Sequence, residues 1–152
     1  MRFPFIAAAM TAFFFSFAWP LVAEEKRFVG IEACIDCHQE QYDTFMKHSK
    51  KAHSFLNIKK MEKKLTAQEY AECFQCHTTG YGKPGGFVSE TQTPGLKNPA
   101  CEVCHGPGSV HVETQDPDDI IADITMEHCI GCHDKDRIDE FNFEPLVFSG
   151  AH

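Results

Sequence analysis

The feature that most constrains this chain is a five-residue pattern, Cys-x-x-Cys-His, which occurs four times in 152 residues and accounts for all eight cysteines. The copies, numbered motifs 1 to 4, are Cys34/Cys37/His38, Cys73/Cys76/His77, Cys101/Cys104/His105 and Cys129/Cys132/His133. Residues i, i+3 and i+4 of an α-helix lie on one face. Each motif therefore predicts one helical turn that presents two thiols and an imidazole together.

This spacing is the attachment signature of c-type haem. The two thiols form thioether bonds with the porphyrin, and the histidine that follows binds the iron from the proximal side. We therefore predict four covalently attached haem c groups. The eight cysteines would attach them, and the proximal iron ligands would be His38, His77, His105 and His133.

Two other uses of paired cysteines fit the pattern less well. Zinc ribbons contain Cys-x-x-Cys pairs, but they do not require a histidine after every pair. A disulfide framework would leave the histidines unexplained, and two cysteines three residues apart on a helix are poor disulfide partners.

Residues 1–23 have the composition of a secretory signal peptide. One charge, at Arg2, precedes an apolar run from Phe5 to Trp19, which is shorter than the roughly 20 residues that span a membrane. We predict cleavage after Ala23, with a site after Ala18 as the alternative, and no stable membrane insertion afterwards. Export to the periplasm, or further to the outer surface or the medium, agrees with haem attachment outside the cytoplasm.

Residues 24–152 are predicted to form one tetrahaem cytochrome c domain. Small domains bury too little surface to be stable by themselves, so porphyrin faces should supply much of the apolar interior. We expect a mainly α fold with long irregular loops, whose core is built around four covalently bound haems. By analogy with small metal-dependent domains, the chain should not fold without its cofactors.

Local signals predict where the helices begin and end. A helix over residues 36–56 is expected to continue from motif 1. The capping-box pattern Thr66-Ala67-Gln68-Glu69 predicts the start of the motif 2 helix, and the glycine-rich segment 80–87 predicts a loop or short hairpin after it. Asn98-Pro99 predicts the cap and first-turn proline of the motif 3 helix, and Thr125 predicts the cap of the motif 4 helix.

Charge is distributed unevenly along the chain. Residues 24–100 contain 11 basic and 10 acidic side chains, whereas residues 101–152 contain 2 basic and 12 acidic ones. The acidic half predicts a basic redox protein partner that docks there, with a solvated acidic surface as the alternative. Nucleic-acid binding is not expected of so acidic a chain. The sequence is compatible with an oligomer as well as with a monomer.

Five histidines lie outside the motifs, namely His48, His53, His111, His128 and His152. They matter because the sixth ligand of a haem iron decides its function. A second imidazole in that position makes an electron carrier, whereas an open sixth position binds small ligands.

Several segments occur in an order that resembles the tetrahaem cytochrome c-554 family. They are Tyr-x-x-Phe at residues 42–45, Lys-Ala-His at 51–53, Cys-His-x-x-Gly at 76–80, Cys-Glu-Val-Cys-His-Gly-Pro-Gly at 101–108, and a last motif with an aromatic tail. Members of that family are periplasmic electron carriers linked to hydroxylamine oxidation. The resemblance implies the same class of function here.

The resemblance also implies distal iron ligands. His53 would bind the haem of motif 3, His111 that of motif 1 and His152 that of motif 4. The haem of motif 2 would keep an open or weakly held site, with His77 as its only protein ligand.

The chain departs from the family pattern in several ways, and it is also shorter. It has Phe45 where a tryptophan is usual, His152 is its last residue, and the pattern assigns neither His48 nor His128. On one continuous helix, His48 and His53 would point about 140° apart and would not serve the same haem. His128 is poorly aimed at the iron of its own motif. Whether either closes the motif 2 haem stays open.

The predicted function is that of a periplasmic tetrahaem electron carrier, linked to nitrogen-compound or anaerobic respiration. No acid, base or nucleophile group stands out as catalytic. Two alternatives remain: a haem enzyme that acts on nitric oxide, nitrite or a related ligand at motif 2, and a subunit of a conductive filament.

Overall fold

The computed structural model describes residues 25–134, and this part of the chain is helical without any β-strand. The α-helices are α1 (Gln39–His48), α2 (Phe55–Lys59), α3 (Ala67–His77), α4 (Cys101–His105), α5 (Ser109–Thr114) and α6 (Glu127–Ile130). Short 3₁₀ segments lie between them, at Ile31–Cys34, Lys50–His53, Glu62–Lys64, Pro94–Leu96 and Pro117–Asp119. The predicted mainly α class with long irregular connections is confirmed.

The single helix predicted over residues 36–56 is wrong, because the chain breaks at Ser49. Helix α1 ends at His48, and Ser49 adopts an extended conformation with φ −84° and ψ 123°. The Ser49 hydroxyl accepts a hydrogen bond from the Lys51 N–H at 3.3 Å and so starts the 3₁₀ segment. Serine side chains often compete with helical hydrogen bonds in this way. The 140° angle expected between His48 and His53 therefore does not apply.

The capping box before motif 2 is confirmed. The Glu69 N–H donates to the Thr66 hydroxyl at 3.3 Å, and the Thr66 N–H donates to the Glu69 carboxylate at 2.8 Å. These bonds satisfy two backbone groups around the first turn of α3 that have no helical partner. Helix α3 then runs without interruption to His77.

The segment after α3 forms a closed loop, as predicted. Its turns are made by hydrogen bonds from the Lys83 N–H to the Gly80 carbonyl and from the Gly86 N–H to the Lys83 carbonyl, at 2.9 and 3.0 Å. The Phe87 N–H returns to the Thr79 carbonyl at 2.9 Å. A Cβ atom at Gly86 would lie 1.7 Å from the Gly80 carbonyl oxygen, so this close approach requires glycine.

The helix starts predicted for motifs 3 and 4 are displaced. Helix α4 begins at Cys101, with Ala100 at its N-cap, because the Asn98 side chain instead accepts a hydrogen bond from the Phe55 N–H at 3.0 Å. Helix α6 has Met126 at its N-cap, and Thr125 lies one residue outside. Helix α4 ends at His105, and Gly106 at its C-cap has φ 78°.

A small aromatic core lies beside α3. Phe55, Ile58, Phe87 and Leu96 form its buried centre, and partly buried Phe28, Tyr70, Phe74 and Tyr81 pack against them. Phe74 lies inside motif 2, and its ring centroid is 4.9 Å from that of Tyr70 and 5.2 Å from that of Phe87. Motif 2 is thus held by a protein core, whereas motifs 1 and 3 border a cavity.

Within residues 25–134, no helix combines the length and apolar character needed to cross a membrane. The predicted signal peptide, the aromatic tail and His152 lie outside the described residues.

Candidate haem-binding sites

All four motifs fold as helical turns, as their spacing predicts. Motif 2 lies in α3 and motif 3 forms the whole of α4. In motifs 1 and 4, the histidine N–H donates to the carbonyl of the first cysteine, from His38 to Cys34 and from His133 to Cys129, each at 2.9 Å. The eight cysteines all lie within residues 25–134, and none of them forms a disulfide. In the same part of the chain, no group of three or more His, Cys, Asp or Glu side chains is arranged to hold a metal ion by itself.

A cavity of about 630 Å³ lies between motifs 1 and 3. Motif 1 contributes all three of its functional side chains, motif 3 contributes Cys101 and His105, and α5 contributes His111. Most of the remaining wall is apolar, with Phe45 and Ile120 among the lining residues. The cavity therefore has the thiols, imidazoles and apolar surface that a covalently bound porphyrin needs.

The other predicted attachment cysteines do not line this cavity. They are Cys73 and Cys76 of motif 2, Cys104 of motif 3, and Cys129 and Cys132 of motif 4. All five are half-buried. The structure therefore brings together the attachment residues of motif 1 and half of those of motif 3, but not those of motifs 2 and 4.

Cys76 and Cys132 are the second cysteines of motifs 2 and 4, and neither lines the cavity between motifs 1 and 3. Cys76 lies in the last turn of α3, directly before His77. Cys132 follows α6, and its N–H donates to the Cys129 carbonyl at 3.1 Å. This bond spans three residues, so the chain around Cys132 winds more tightly than an α-helix. Haem attachment at Cys76 and Cys132 stays a prediction from the motif spacing.

The rings of His38 and His111 are spaced as two ligands of one iron would be. Their centroids are 6.3 Å apart and their planes differ by 27°. A ring nitrogen lies about 1.1 Å from the imidazole centre and about 2 Å from a metal it binds, so imidazoles on opposite sides of one ion have centroids about 6 Å apart. The residues present therefore fit a haem held by motif 1, with His111 as the distal ligand.

Backbone carbonyls orient three of the candidate ligand rings. The Nδ1 atoms of His77, His105 and His111 lie 3.3, 2.6 and 2.8 Å from the carbonyl oxygens of Ser54, Ile121 and Asp116. A carbonyl oxygen only accepts, so each Nδ1 carries the proton and the lone pair of the neutral ring lies on Nε2. This arrangement is typical of histidines that bind metals.

His128 has the opposite arrangement. Its Nδ1 accepts the Thr125 N–H at 3.1 Å, so the neutral ring carries its proton on Nε2 and has no lone pair left for an iron. In this conformation, His128 holds the backbone N–H of Thr125 just before α6 and does not close a haem. His48 lies exposed at the end of α1.

His53 is exposed on the 3₁₀ segment after α1, and its Nε2 lies 3.2 Å from the Met46 carbonyl oxygen. Because a carbonyl oxygen only accepts, Nε2 carries the proton and the lone pair of the neutral ring lies on Nδ1. Binding of the motif 3 haem by His53 stays a prediction, and it requires either Nδ1 or a turn of the ring.

The first cysteines of motifs 1 and 3 contact each other. A hydrogen bond to Cys101 is the main reason that the pKa of Cys34 is raised, and burial adds to the effect. The same hydrogen bond lowers the pKa of Cys101, against the effect of burial. Cys34 therefore keeps its proton and is the donor in this hydrogen bond, which Cys101 accepts. Two attachment points lie side by side.

Motif 4 lies near motif 3 and near Lys51. Burial raises the pKa of Cys129, and the charge of Cys104 raises it further. Burial also lowers the pKa of His133, and the positive charge of Lys51 lowers it further. The 3₁₀ segment that carries His53 is thus close to motif 4.

Two buried hydroxyl groups near motif 2 have no hydrogen-bond partner among the described residues. They belong to Ser54, whose carbonyl binds the His77 ring, and to Tyr70 on α3. A buried polar group without a partner often marks the place of a group that binds there. These hydroxyls therefore fit a bound cofactor beside α3.

Sequence reasoning missed the role of Glu102, inside motif 3. Its side chain is only 3% exposed. Its carboxylate accepts hydrogen bonds from the N–H groups of Val29, Gly30 and Gly108 at 2.9, 2.8 and 2.8 Å. One carboxylate thus joins the chain before motif 1 to the chain after motif 3. The Gly-Pro-Gly that follows motif 3 is the only sequence signal for this role, since it brings the Gly108 N–H within reach of the Glu102 carboxylate.

Comparison with known proteins supports the haem assignment. The profile of the family described as "Cytochrome c554 and c-prime" matches residues 33–106, which include motifs 1 to 3. A protein named cytochrome c-554 from Nitrosomonas europaea is 34% identical over 97 residues, which cover 57% of this chain and 41% of that protein. The matched region thus spans about two fifths of the relative's length. No solved structure matches.

A match to a cytochrome c family implies covalently bound haem c in the matched segment, and motif 4 lies beyond it. The predicted resemblance is confirmed, since residues 33–106 of this chain match the family described as cytochrome c554 and c-prime.

Proposed function

We propose that this protein is a periplasmic tetrahaem c-type cytochrome that passes electrons between redox partners, in the respiration of nitrogen compounds or in anaerobic respiration. The observation that carries the proposal is the pairing of His38 with His111 across the cavity at 6.3 Å. A haem bound there exchanges one electron between its ferric and ferrous forms. Two imidazoles on one iron leave no position for a substrate, which favours a carrier over a catalyst.

The residues around this cavity hold and orient the ligands. The Asp116 carbonyl fixes the His111 ring, and the Ile121 carbonyl fixes the His105 ring. Because backbone carbonyls hold both rings, the two ring orientations do not need to change with the oxidation state. A site that reorganises little on gaining an electron is suited to electron transfer.

The contact between Cys34 and Cys101 supports passage of electrons between neighbouring sites within the chain. Both thiols line the same cavity, and a hydrogen bond joins them. Attachment points this close bring the groups that they hold close together.

A basic redox protein is the proposed partner. The cavity wall includes Gln115, Pro117 and Ala122, and exposed acidic side chains lie among these residues, at Glu113, Asp116, Asp118 and Asp123. An acidic rim raises the association rate of a basic partner and makes that rate depend on ionic strength.

A haem enzyme acting at motif 2 is the second candidate. One observation favours it: His128 Nδ1 accepts the Thr125 N–H and Nε2 carries the proton, so His128 does not supply the missing ligand in this conformation. His77 would then hold an iron whose sixth position can bind nitric oxide, nitrite or a related molecule.

Electron paramagnetic resonance of the oxidised exported protein tests both candidates. We expect low-spin ferric signals with the character of two imidazole ligands, including one that depends on His111. A high-spin signal that changes when nitric oxide or nitrite is added would favour the enzyme. Exclusively high-spin iron would contradict the carrier.

A further inference from the structure

Glu102 places a negative charge inside the cavity between motifs 1 and 3. The side chain is 3% exposed, and it lines the same cavity as His38 and His111. Its three hydrogen-bond donors are backbone N–H groups, which carry no net charge. The hydrogen bonds therefore do not neutralise the negative charge.

The charge acts on both motifs. It adds to the rise in the pKa of Cys34, which is caused first by the hydrogen bond to Cys101 and then by burial. It also opposes the fall in the pKa of Cys101, which the hydrogen bond from Cys34 causes. One buried carboxylate is thus within electrostatic reach of two haem attachment sites.

A nearby negative charge stabilises a haem iron more in the ferric state than in the ferrous state, because the ferric centre carries one more positive charge. Burial preserves this effect, since charges away from water are screened much less by solvent and salt. Charge and burial around the cofactor are among the means by which a protein sets a haem potential.

We propose that Glu102 lowers the reduction potential of the haem groups held by motifs 1 and 3. This inference rests on the proposed function only in requiring haem in the cavity.

A purely structural role for Glu102 predicts a different result. The carboxylate joins Val29 and Gly30 to Gly108, so its removal would also loosen the contact between the two chain segments. A Cβ atom at Gly108 would lie 3.3 Å from the Glu102 Oε1, so the chain packs closely around the carboxylate. The test must therefore separate loss of charge from loss of packing.

The experiment is a potentiometric titration of the haem-loaded Glu102→Gln variant, followed by its visible spectrum. We expect the ferrous-to-ferric ratio of at least one haem to rise at least tenfold at a fixed potential, a shift of about 59 mV for one electron. Because the charge is buried, the shift should persist at high salt.

Two variants are the controls. Glu102→Asp keeps the charge and alters the packing, so its ferrous-to-ferric ratios should stay within about threefold of those of the wild type, since the charge sets the potential. Glu32→Gln removes an exposed carboxylate near motif 1, and any shift it causes should disappear at high salt.

Equal shifts in Glu102→Gln and Glu102→Asp would overturn the inference and assign a structural role. An unchanged potential in haem-loaded Glu102→Gln would overturn it as well. If Glu102→Gln does not retain its haem, the test uses Glu102→Asp alone. A tenfold change in the ferrous-to-ferric ratio of this variant, which keeps the charge, contradicts the inference. A wild-type chain that carries no haem at all would overturn the proposed function as well. A haem-loaded protein with an unchanged potential would overturn only the inference about Glu102.

Discussion

At the scale of single residues, the hydrogen bond at one ring nitrogen decides whether a histidine can bind iron with the other. His111 donates from Nδ1 to a carbonyl oxygen and keeps a lone pair on Nε2. His128 accepts at Nδ1 from a backbone N–H, so its Nε2 carries the proton. The two residues look alike in the sequence, and only their partners separate them.

Replacing His111 should remove the sixth ligand of one haem iron. We expect His111→Ala to convert one low-spin ferric signal into a high-spin signal, because the imidazole paired with His38 is lost. Electron paramagnetic resonance and the near-infrared spectrum measure the change.

His128→Ala is the matched control, and we expect it to leave the spin states of all irons unchanged. A low-spin signal lost in His128→Ala, or retained in full in His111→Ala, would show that the ligand assignment is wrong.

Glu102 shows what reasoning from single residues misses. Its position between two cysteines of motif 3 is visible in the sequence, but its burial depends on Val29 and Gly30, more than seventy residues earlier. A glutamate on a short helix is usually exposed, and the Gly-Pro-Gly after motif 3 does not reveal the contacts with Val29 and Gly30.

At the scale of elements, local capping signals predicted α3 well, because both partners of the capping box lie within four residues. The pKa of Glu69 is lowered by its hydrogen bonds with the backbone and the hydroxyl of Thr66. The ionised carboxylate therefore contributes to stability at neutral pH.

This contribution should depend on pH. A carboxyl group with a lowered native pKa stabilises the fold above its unfolded pKa, and the contribution is lost as pH falls through the native pKa. We expect Glu69→Gln to lower the thermal midpoint at neutral pH, and the difference from wild type to disappear in acid. Circular dichroism of the haem-loaded protein measures the midpoints.

Glu72→Gln, at an exposed carboxylate one turn further along α3, is the control. It should give a difference from wild type that changes little with pH. A Glu69→Gln difference that stays constant into acid would contradict the capping-box origin of the effect.

The loop after α3 gives a second prediction for an element. We expect Gly86→Ala to destabilise the protein strongly, because a Cβ atom would overlap the Gly80 carbonyl oxygen and force the loop open. The yield of haem-loaded protein and its thermal midpoint are the measurements.

Gly82→Ala is the comparison, since Gly82 has φ 76° and no atom lies within 4 Å of the position that a Cβ would occupy there. It should cost about 1–2 kcal/mol, the strain of a left-handed residue. If the two variants were equally stable, the close approach at Gly86 would not be limiting.

At the scale of the whole molecule, the chain divides its apolar interior between protein and cofactor. The aromatic core beside motif 2 is made of side chains, whereas motifs 1 and 3 face a cavity of about 630 Å³. The expectation that a small chain needs its cofactors to complete its interior agrees with this arrangement.

The haem count is a prediction for the whole chain. Mass spectrometry of the exported protein should show a polypeptide that lacks residues 1–23 and carries four haem groups. Three groups would show that one motif, most simply motif 4 beyond the family match, remains unmodified. The mass of the bare polypeptide, or a mass with bound zinc, would contradict the haem assignment altogether.

The sequence by itself determined what depends on neighbours a few residues apart. Those features are the helical turn at each motif, the thiols and imidazole on its face, the capping box at Thr66 and the loop after α3. The tertiary structure decided what depends on residues far apart in the chain: the pairing of His38 with His111 and the burial of Glu102. It also decided how the chain continues after Ser49, where a serine that reads equally well as helical instead ends α1. The physical reason is that hydrogen bonds within one turn follow from local composition, whereas contacts between distant segments form only when the whole chain packs.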